Sequence, residues 1–167
     1  MRRIALLALV ALALPGATNA QARLMVGGGI SSPNGDFSDA VDTGVHGRVG
    51  LQVGVPAFPV SLRGEGEVHS FSEATGTEKA QLISGTISAV LSLGGIGLSP
   101  YILAGLGSYR YDDSTAADAL TNGGYHGGFG ASIGALGFGG FAEVRLVNIN
   151  GDDGDRRYVA ATFGFRF

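Results

Sequence analysis

The 167-residue chain contains no cysteine. That excludes a disulfide framework and a lipid-anchored N-terminal cysteine. Lysine is almost absent, Lys79 being the single example, and there are only five prolines. Long apolar runs are missing as well. The longest, Ile4 to Leu14, has eleven residues, whereas a membrane-crossing helix needs about 20. After residue 20 no stretch shows helical periodicity, so helices are not expected to build the domain.

What is present begins with MRRIALLALVALALPGATNA. Two arginines precede the apolar run, and Thr18 and Ala20 stand at the spacing of a signal-peptidase site. This layout predicts a secretory signal peptide over residues 1–20, cleaved after Ala20 or Ala22, and a mature domain over 21–167. Once Arg2 and Arg3 leave, nine basic residues face fourteen acidic ones, a net charge near −5. Such a balance argues against nucleic acid as a partner. Glycine is abundant, 30 residues, yet 45% of the chain is apolar, which fits neither collagen nor disorder. Glycine inside apolar segments suits curved strands better than helices, where each costs about 1 kcal/mol.

Period-two alternation marks eight strands, over residues 22–31, 44–56, 60–71, 80–93, 101–111, 124–135, 138–148 and 157–167. Each has roughly the 9–11 residues a tilted strand needs to cross hydrocarbon, or slightly more. The seven connections alternate long and short, beginning and ending long. Eleven of the fourteen acids lie in the long ones; only Glu65, Glu67 and Glu143 lie within strands. This predicts an all-β, eight-stranded antiparallel up-and-down transmembrane β-barrel, with short periplasmic turns and acidic outer loops.

Faces decide what the barrel touches. In GVHGRVGLQVGVP one face carries Val45, Val49, Leu51 and Val53, and the other His46, Arg48 and Gln52. In VSLRGEGEVHSF, Leu62 and Val68 oppose Arg63, Glu65, Glu67 and His69; in the seventh strand Glu143 and Arg145 share a face. With lipid outside, those charges must point into the lumen, because an arginine facing mid-bilayer costs about 2–4 kcal/mol. A soluble secreted ligand-binding barrel would reverse the faces. The last strand, RYVAATFGFRF, must pair with the first, since an open edge in hydrocarbon would leave unpaired backbone groups. Both faces of the fifth strand are largely apolar, so alternation alone does not orient it. Tyr101, Tyr109, Tyr111, Tyr125, Tyr158, Phe138 and Phe167 fall near strand ends, where aromatic girdles sit.

The terminal FRF resembles the ending of the small outer-membrane β-barrel family, of the OmpX and OmpA-barrel type. PYILAGLG (100–107) is similar to that family's fifth-strand region. The family pattern favours glycine five residues before the end, where this chain has Thr162. The resemblance implies a Gram-negative-type outer membrane, Phe165 and Phe167 as the signal read by the barrel-assembly machinery, and lipid and lipopolysaccharide as surroundings. A monomer is expected.

An interior of this size is filled by side chains. Arg48, Arg63, Glu65, Glu67, His69, Glu143, Arg145 and Arg166 are expected to form a lumenal polar network, since buried charges must be paired. Glu65 and Glu67 also have the spacing of a catalytic carboxylate pair, although pairing with arginine explains them as well. Some barrels of this size modify lipid A with a His–Ser pair; Ser70 next to His69 faces the opposite way, and His126 has Gly128 where a serine would be needed. NINGDDGD (148–155) departs from a calcium loop, with Asp153 where glycine belongs. GGYHGGFG (123–130) lacks the helix and lysine of a phosphate loop. The expectation is a non-enzymatic protein without cofactor or metal, serving envelope integrity or adhesion. A narrow solute channel, a lipid A-modifying enzyme and the soluble barrel stand as alternatives.

Overall fold

The computed structural model describes residues 21–39, 41–54, 58–72, 79–94, 97–112, 120–135, 138–151 and 155–167. The expected signal peptide, residues 1–20, lies outside them, as do most of the acidic loop residues, among them Glu73, Glu78, Asp113, Asp118, Asp152 and Asp153. The strands are β1 (Gln21–Asn34), β2 (Gly44–Gly54), β3 (Val60–Ser72), β4 (Lys79–Ser92), β5 (Leu98–Asp112), β6 (Leu120–Ala135), β7 (Phe138–Ile149) and β8 (Arg156–Arg166). Each pairs antiparallel with its neighbours, and β1 pairs with β8 to close a barrel. Leu24 and Phe167 complete the seam by exchanging N–H···O bonds of 3.0 and 2.9 Å. Closure leaves no edge strand, the condition for a sheet to sit in hydrocarbon.

Several strands overrun the sequence-derived limits; β6 starts at Leu120 instead of 124, and β5 at Leu98 instead of 101. Alternation reports only the part of a strand that has two different environments. Beyond the hydrocarbon the paired ribbon continues with polar residues, such as Thr121 and Asn122, whose pattern carries no such signal. The first long connection is also more ordered than its composition suggests. Gly35 takes φ 65°, turning the chain into a short 3-10 helix, Gly35–Asp39. Asn34 Oδ1 accepts a bond from the Gly35 N–H at 2.8 Å, and Ser38 Oγ donates to the Gly35 carbonyl at 2.6 Å.

Outward positions form an apolar belt: Leu24, Val26 and Ile30 on β1, Val45, Val49 and Leu51 on β2, Ile83 and Ile87 on β4, and Phe129 and Ile133 on β6, among others, are all exposed. Soluble monomers rarely expose an apolar patch beyond a few hundred Å². A belt encircling the sheet, with Arg63, Glu65, Glu67, Glu143 and Arg145 buried inside, is the arrangement of a membrane barrel and the inverse of a soluble one. Strand β5 is now oriented: Tyr101, Leu103 and Tyr109 face inward, while Ile102 and Leu106 face out. The aromatic assignment needs correction. Tyr101, Tyr109 and Tyr158 are buried in the lumen rather than placed at the membrane interface. Phe138, Phe165 and Phe167 do form an outward cluster at the periplasmic end, Phe138 lying 5.9 and 5.4 Å from the other two rings.

Candidate functional site in the barrel lumen

From the outer mouth downward the lumen has three layers. The first is an apolar plug. Phe37, on the 3-10 helix, inserts beside Phe71 and Tyr111 with ring centroids 5.6 and 6.3 Å apart, and Val41, Leu82, Val147, Ile149 and Tyr158 complete the packing.

The second layer is a hydrogen-bonded chain. Thr162 Oγ1 lies 2.8 Å from His46 Nε2, His46 Nδ1 lies 2.8 Å from Ser31 Oγ, Ser31 Oγ lies 2.9 Å from His69 Nδ1, and His69 Nε2 lies 3.2 Å from Glu67 Oε2. With both imidazoles neutral, one polarity satisfies every contact. Glu67 can only accept, so His69 Nε2–H donates to it and His69 Nδ1 accepts from the Ser31 hydroxyl. Ser31 in turn accepts from His46 Nδ1–H, and Thr162 donates to His46 Nε2. A second histidine, His126, bonds Ser88 Oγ at 2.8 Å and contacts the Tyr109 hydroxyl at 3.5 Å.

The third layer holds three arginines and three glutamates, all buried. In a closed ring of eight strands, β3 and β7 stand opposite each other, and the ion pairs run straight across the bore. Arg145 on β7 reaches Glu143 through Nε at 2.5 Å, Glu67 through Nη1 at 2.7 Å, and Glu65 through Nη2. Returning from β3, Arg63 Nη1 binds Glu143 at 2.6 Å, and its Nε and Nη2 bind Gln52 Oε1 at 3.1 and 3.0 Å. Arg48 on β2 meets Glu143 at 2.8 Å and lies 3.7 Å from Glu65. The Tyr101 hydroxyl donates to Glu143 at 2.8 Å. Charge therefore balances within the layer, which is what allows six ions to remain out of water. Aromatic faces cover two of the guanidinium groups, Phe141 at 5.2 Å from Arg48 and Tyr101 at 5.3 Å from Arg63.

Of the eight residues expected in one network, Arg48, Arg63, Glu65, Glu67, His69, Glu143 and Arg145 meet. Arg166 does not. It sits lower, at the periplasmic mouth, and among the described residues it makes no salt bridge with the cluster. The reading of Glu65 and Glu67 as a free carboxylate pair meets a physical obstacle, since both are bound to Arg145. The expected network lacked His46, His126, Ser31, Ser88, Thr162, Gln52 and Tyr101, although the strand alternation had put His46 and Gln52 on one face with Arg48. The search for a serine beside each histidine looked along one strand, whereas the partners lie on other strands; only the barrel's register brings them together.

Glycine explains how such bulk fits. A Cβ at Gly105 would come 2.7 Å from the His126 ring, one at Gly50 would come 2.6 Å from Glu65 Cγ, and one at Gly130 would come 2.5 Å from the Tyr101 ring. Outward Gly64, Gly66 and Gly85 meet nothing. Gly105→Val should therefore lower stability by about 1–3 kcal/mol through overpacking, while Gly85→Val should change it little. Denaturant midpoints of the two variants, refolded into lipid vesicles, check the contrast.

The sequence matches the family model described as the outer membrane protein beta-barrel domain over residues 4–167. The chain belongs to this family. It is an outer-membrane protein. Solved structures with the same fold include Neisserial surface protein A, 16% identical, with a TM-score of 0.71 over 89% of this chain and 97% of that one. The N-terminal barrel domain of Pseudomonas aeruginosa OprF is 16% identical, covering 89% and 100% with a TM-score of 0.50. Ail, the attachment invasion locus protein of Yersinia pestis, is 14% identical, covering 87% and 97% with a TM-score of 0.54. At such identities the likeness is one of fold. Among curated protein sequences none matches significantly. Within this outer-membrane barrel, the serine–histidine pairs face the lumen, not the lipid, and Ser31 and His69 are fully buried.

Proposed function

We propose that this outer-membrane barrel is a non-enzymatic component of the envelope, working through its lipid-facing wall and outer loops in membrane integrity or surface contact. The observation that carries this reading is the ion-paired bar across the bore. Arg145 on β7 is bound to Glu65 and Glu67 on β3 and to Glu143 on its own strand, and the Phe37 plug lies above it. A bore tied across its middle and packed with apolar side chains toward its outer mouth argues against a solute stream and favours the surfaces as the working parts. The monomer, its lipid and lipopolysaccharide surroundings, and recognition of Phe165 and Phe167 by the assembly machinery belong to the same proposal. Phe165 and Phe167 project outward, where another protein or lipid can reach them.

Lack of steady single-channel current in planar bilayers is the expected result. Cells without the protein should become more permeable to detergents or lose surface attachment, with lipid A mass unchanged by its expression. A stable conductance, or a mass shift in lipid A, would sink the reading.

A further inference from the structure

At the outer end of the wall, above the apolar belt, three polar side chains stand in one row. Tyr125 on β6 lies opposite Asn148 on β7, and Asn148 lies opposite Arg157 on β8. Directly opposed residues are about 5 Å apart, so the row spans about 10 Å of surface. Asp155, just before β8, folds back onto it. Asn148 Nδ2 donates to the Tyr125 hydroxyl at 2.8 Å and to Asp155 Oδ2 at 3.4 Å. Arg157 Nη2 lies 3.5 Å from the same carboxylate oxygen. Both amide protons of Asn148 are thereby used. Its carbonyl Oδ1 has no hydrogen-bond partner, although the residue is only 6% exposed. A buried acceptor without a donor is costly and asks for an explanation. Around it the side chains of Tyr125, Asp155 and Arg157 are all exposed, and they can move aside to admit a hydroxyl.

We propose that this row binds a pyranose ring, carried either by a glycolipid headgroup or by a soluble saccharide. A sugar hydroxyl both donates and accepts. It can therefore give Asn148 Oδ1 the proton it lacks while accepting from Arg157, or from Tyr125, whose hydroxyl only accepts within the row. The C–H face of the sugar can lie on the Tyr125 ring, whose π face is its negative pole. Other ligand classes fit worse. Phosphate would meet the Asp155 carboxylate, a lone cation would meet Arg157, and a hydrocarbon chain would bury these polar groups without hydrogen bonds. The location favours the glycolipid source. Arg157 is the second residue of β8 and Asn148 the second-last of β7, at the level of headgroups. Leu146, one outward step below Asn148, is exposed in the belt that acyl chains cover. The site rests on the reading of the outer surface as the working part, and the two fail separately. Conductance or altered lipid A would sink that reading, whereas only a sugar titration addresses this row.

The test places the folded barrel in nanodiscs with a rising share of monoglucosyl diacylglycerol and follows side-chain N–H resonances. The Asn148 Nδ2 and Arg157 Nε signals should shift and saturate. The amide of Gln81, exposed on β4, should stay unmoved. Asn148→Ala and Tyr125→Leu should each weaken binding about tenfold, through the loss of a hydrogen bond or of the stacking face. Tyr125→Phe keeps the ring and should fall between Tyr125→Leu and the parent. Methyl glucoside in solution identifies the source: equal shifts assign the row to a soluble saccharide, and shifts confined to the anchored sugar assign it to a glycolipid. Phosphatidic acid offers phosphate without a sugar ring and should leave the Asn148 signal in place. An Asn148 shift from phosphatidic acid as large as that from the glycolipid would overturn the proposal. So would Asn148 and Arg157 signals that neither sugar moves. Those measurements on the parent hold even if a variant does not fold, and undiminished binding by a folded Asn148→Ala barrel would overturn the proposal too.

Discussion

Replacing Arg145 with methionine should cost the folded barrel about 3–5 kcal/mol. The side chain is 2% exposed and holds three carboxylates from two strands. Without it, only two guanidinium groups, Arg48 and Arg63, remain to balance the charges of Glu65, Glu67 and Glu143, and a buried net negative charge replaces a neutral cluster. The penalty comes from the stranded carboxylates more than from the lost attraction. Adding Glu65→Gln to Arg145→Met should therefore recover part of the loss, with a coupling energy of about 0.5–3 kcal/mol in a double-mutant cycle. Urea unfolding in phospholipid vesicles, followed by circular dichroism and by heat-modifiable migration, measures each corner of the cycle. Arg166→Met serves as the comparison, since Arg166 is half-buried and outside the cluster, and it should cost less than 1 kcal/mol. An Arg145→Met barrel within 1 kcal/mol of the parent would mean that the ions are far better hydrated than their burial implies.

Much of this architecture is legible before any coordinates, because lipid on one side and a narrow lumen on the other impose a strict two-residue period. Strands β2, β3 and β7 display it openly, Val45 to Leu51 against His46 and Arg48 being one instance. Strand β5 hides it. Its inward face carries Tyr101, Leu103 and Tyr109, residues as apolar in sequence as its outward Ile102 and Leu106, so the direction of each is settled only by what surrounds it. Gly105 and Gly130 leave space for the His126 and Tyr101 rings, and that complementarity between strands is invisible along one strand. The charged residues of the lumen could be named from their faces, but the tie between β3 and β7 could not. It joins residues 78 to 80 positions apart and depends on the stagger with which the ring closes. The same holds for Ser31, whose hydroxyl bridges two histidines 15 and 38 residues away. Phe37 was hidden differently: a lone aromatic within an acidic loop reads as a loop residue until the turn at Gly35 folds it into the mouth.

Leu106→Arg should destabilise the barrel by about 2–4 kcal/mol in a bilayer. Leu106 lies midway along β5, is 70% exposed, and is flanked by Ile87 on β4 and Tyr125 on β6. The molecule contains its own control. Four residues further along the same outward face stands a native arginine, Arg110, also exposed. At about 3.3 Å per residue the two positions differ by about 13 Å in height along the strand, enough to separate the bilayer core from its outer interface. Arg110→Leu should accordingly change stability by less than about 1 kcal/mol, the value for a charge near the interface. Equilibrium unfolding in vesicles of increasing acyl length gives a further check, because a thicker hydrocarbon layer should raise the Leu106→Arg penalty while the parent changes less. Were water the medium around this wall, arginine at 106 and at 110 would cost the same, and both little. A steep difference between two sites on one face of one strand therefore measures the depth of the oil against which this sheet is folded.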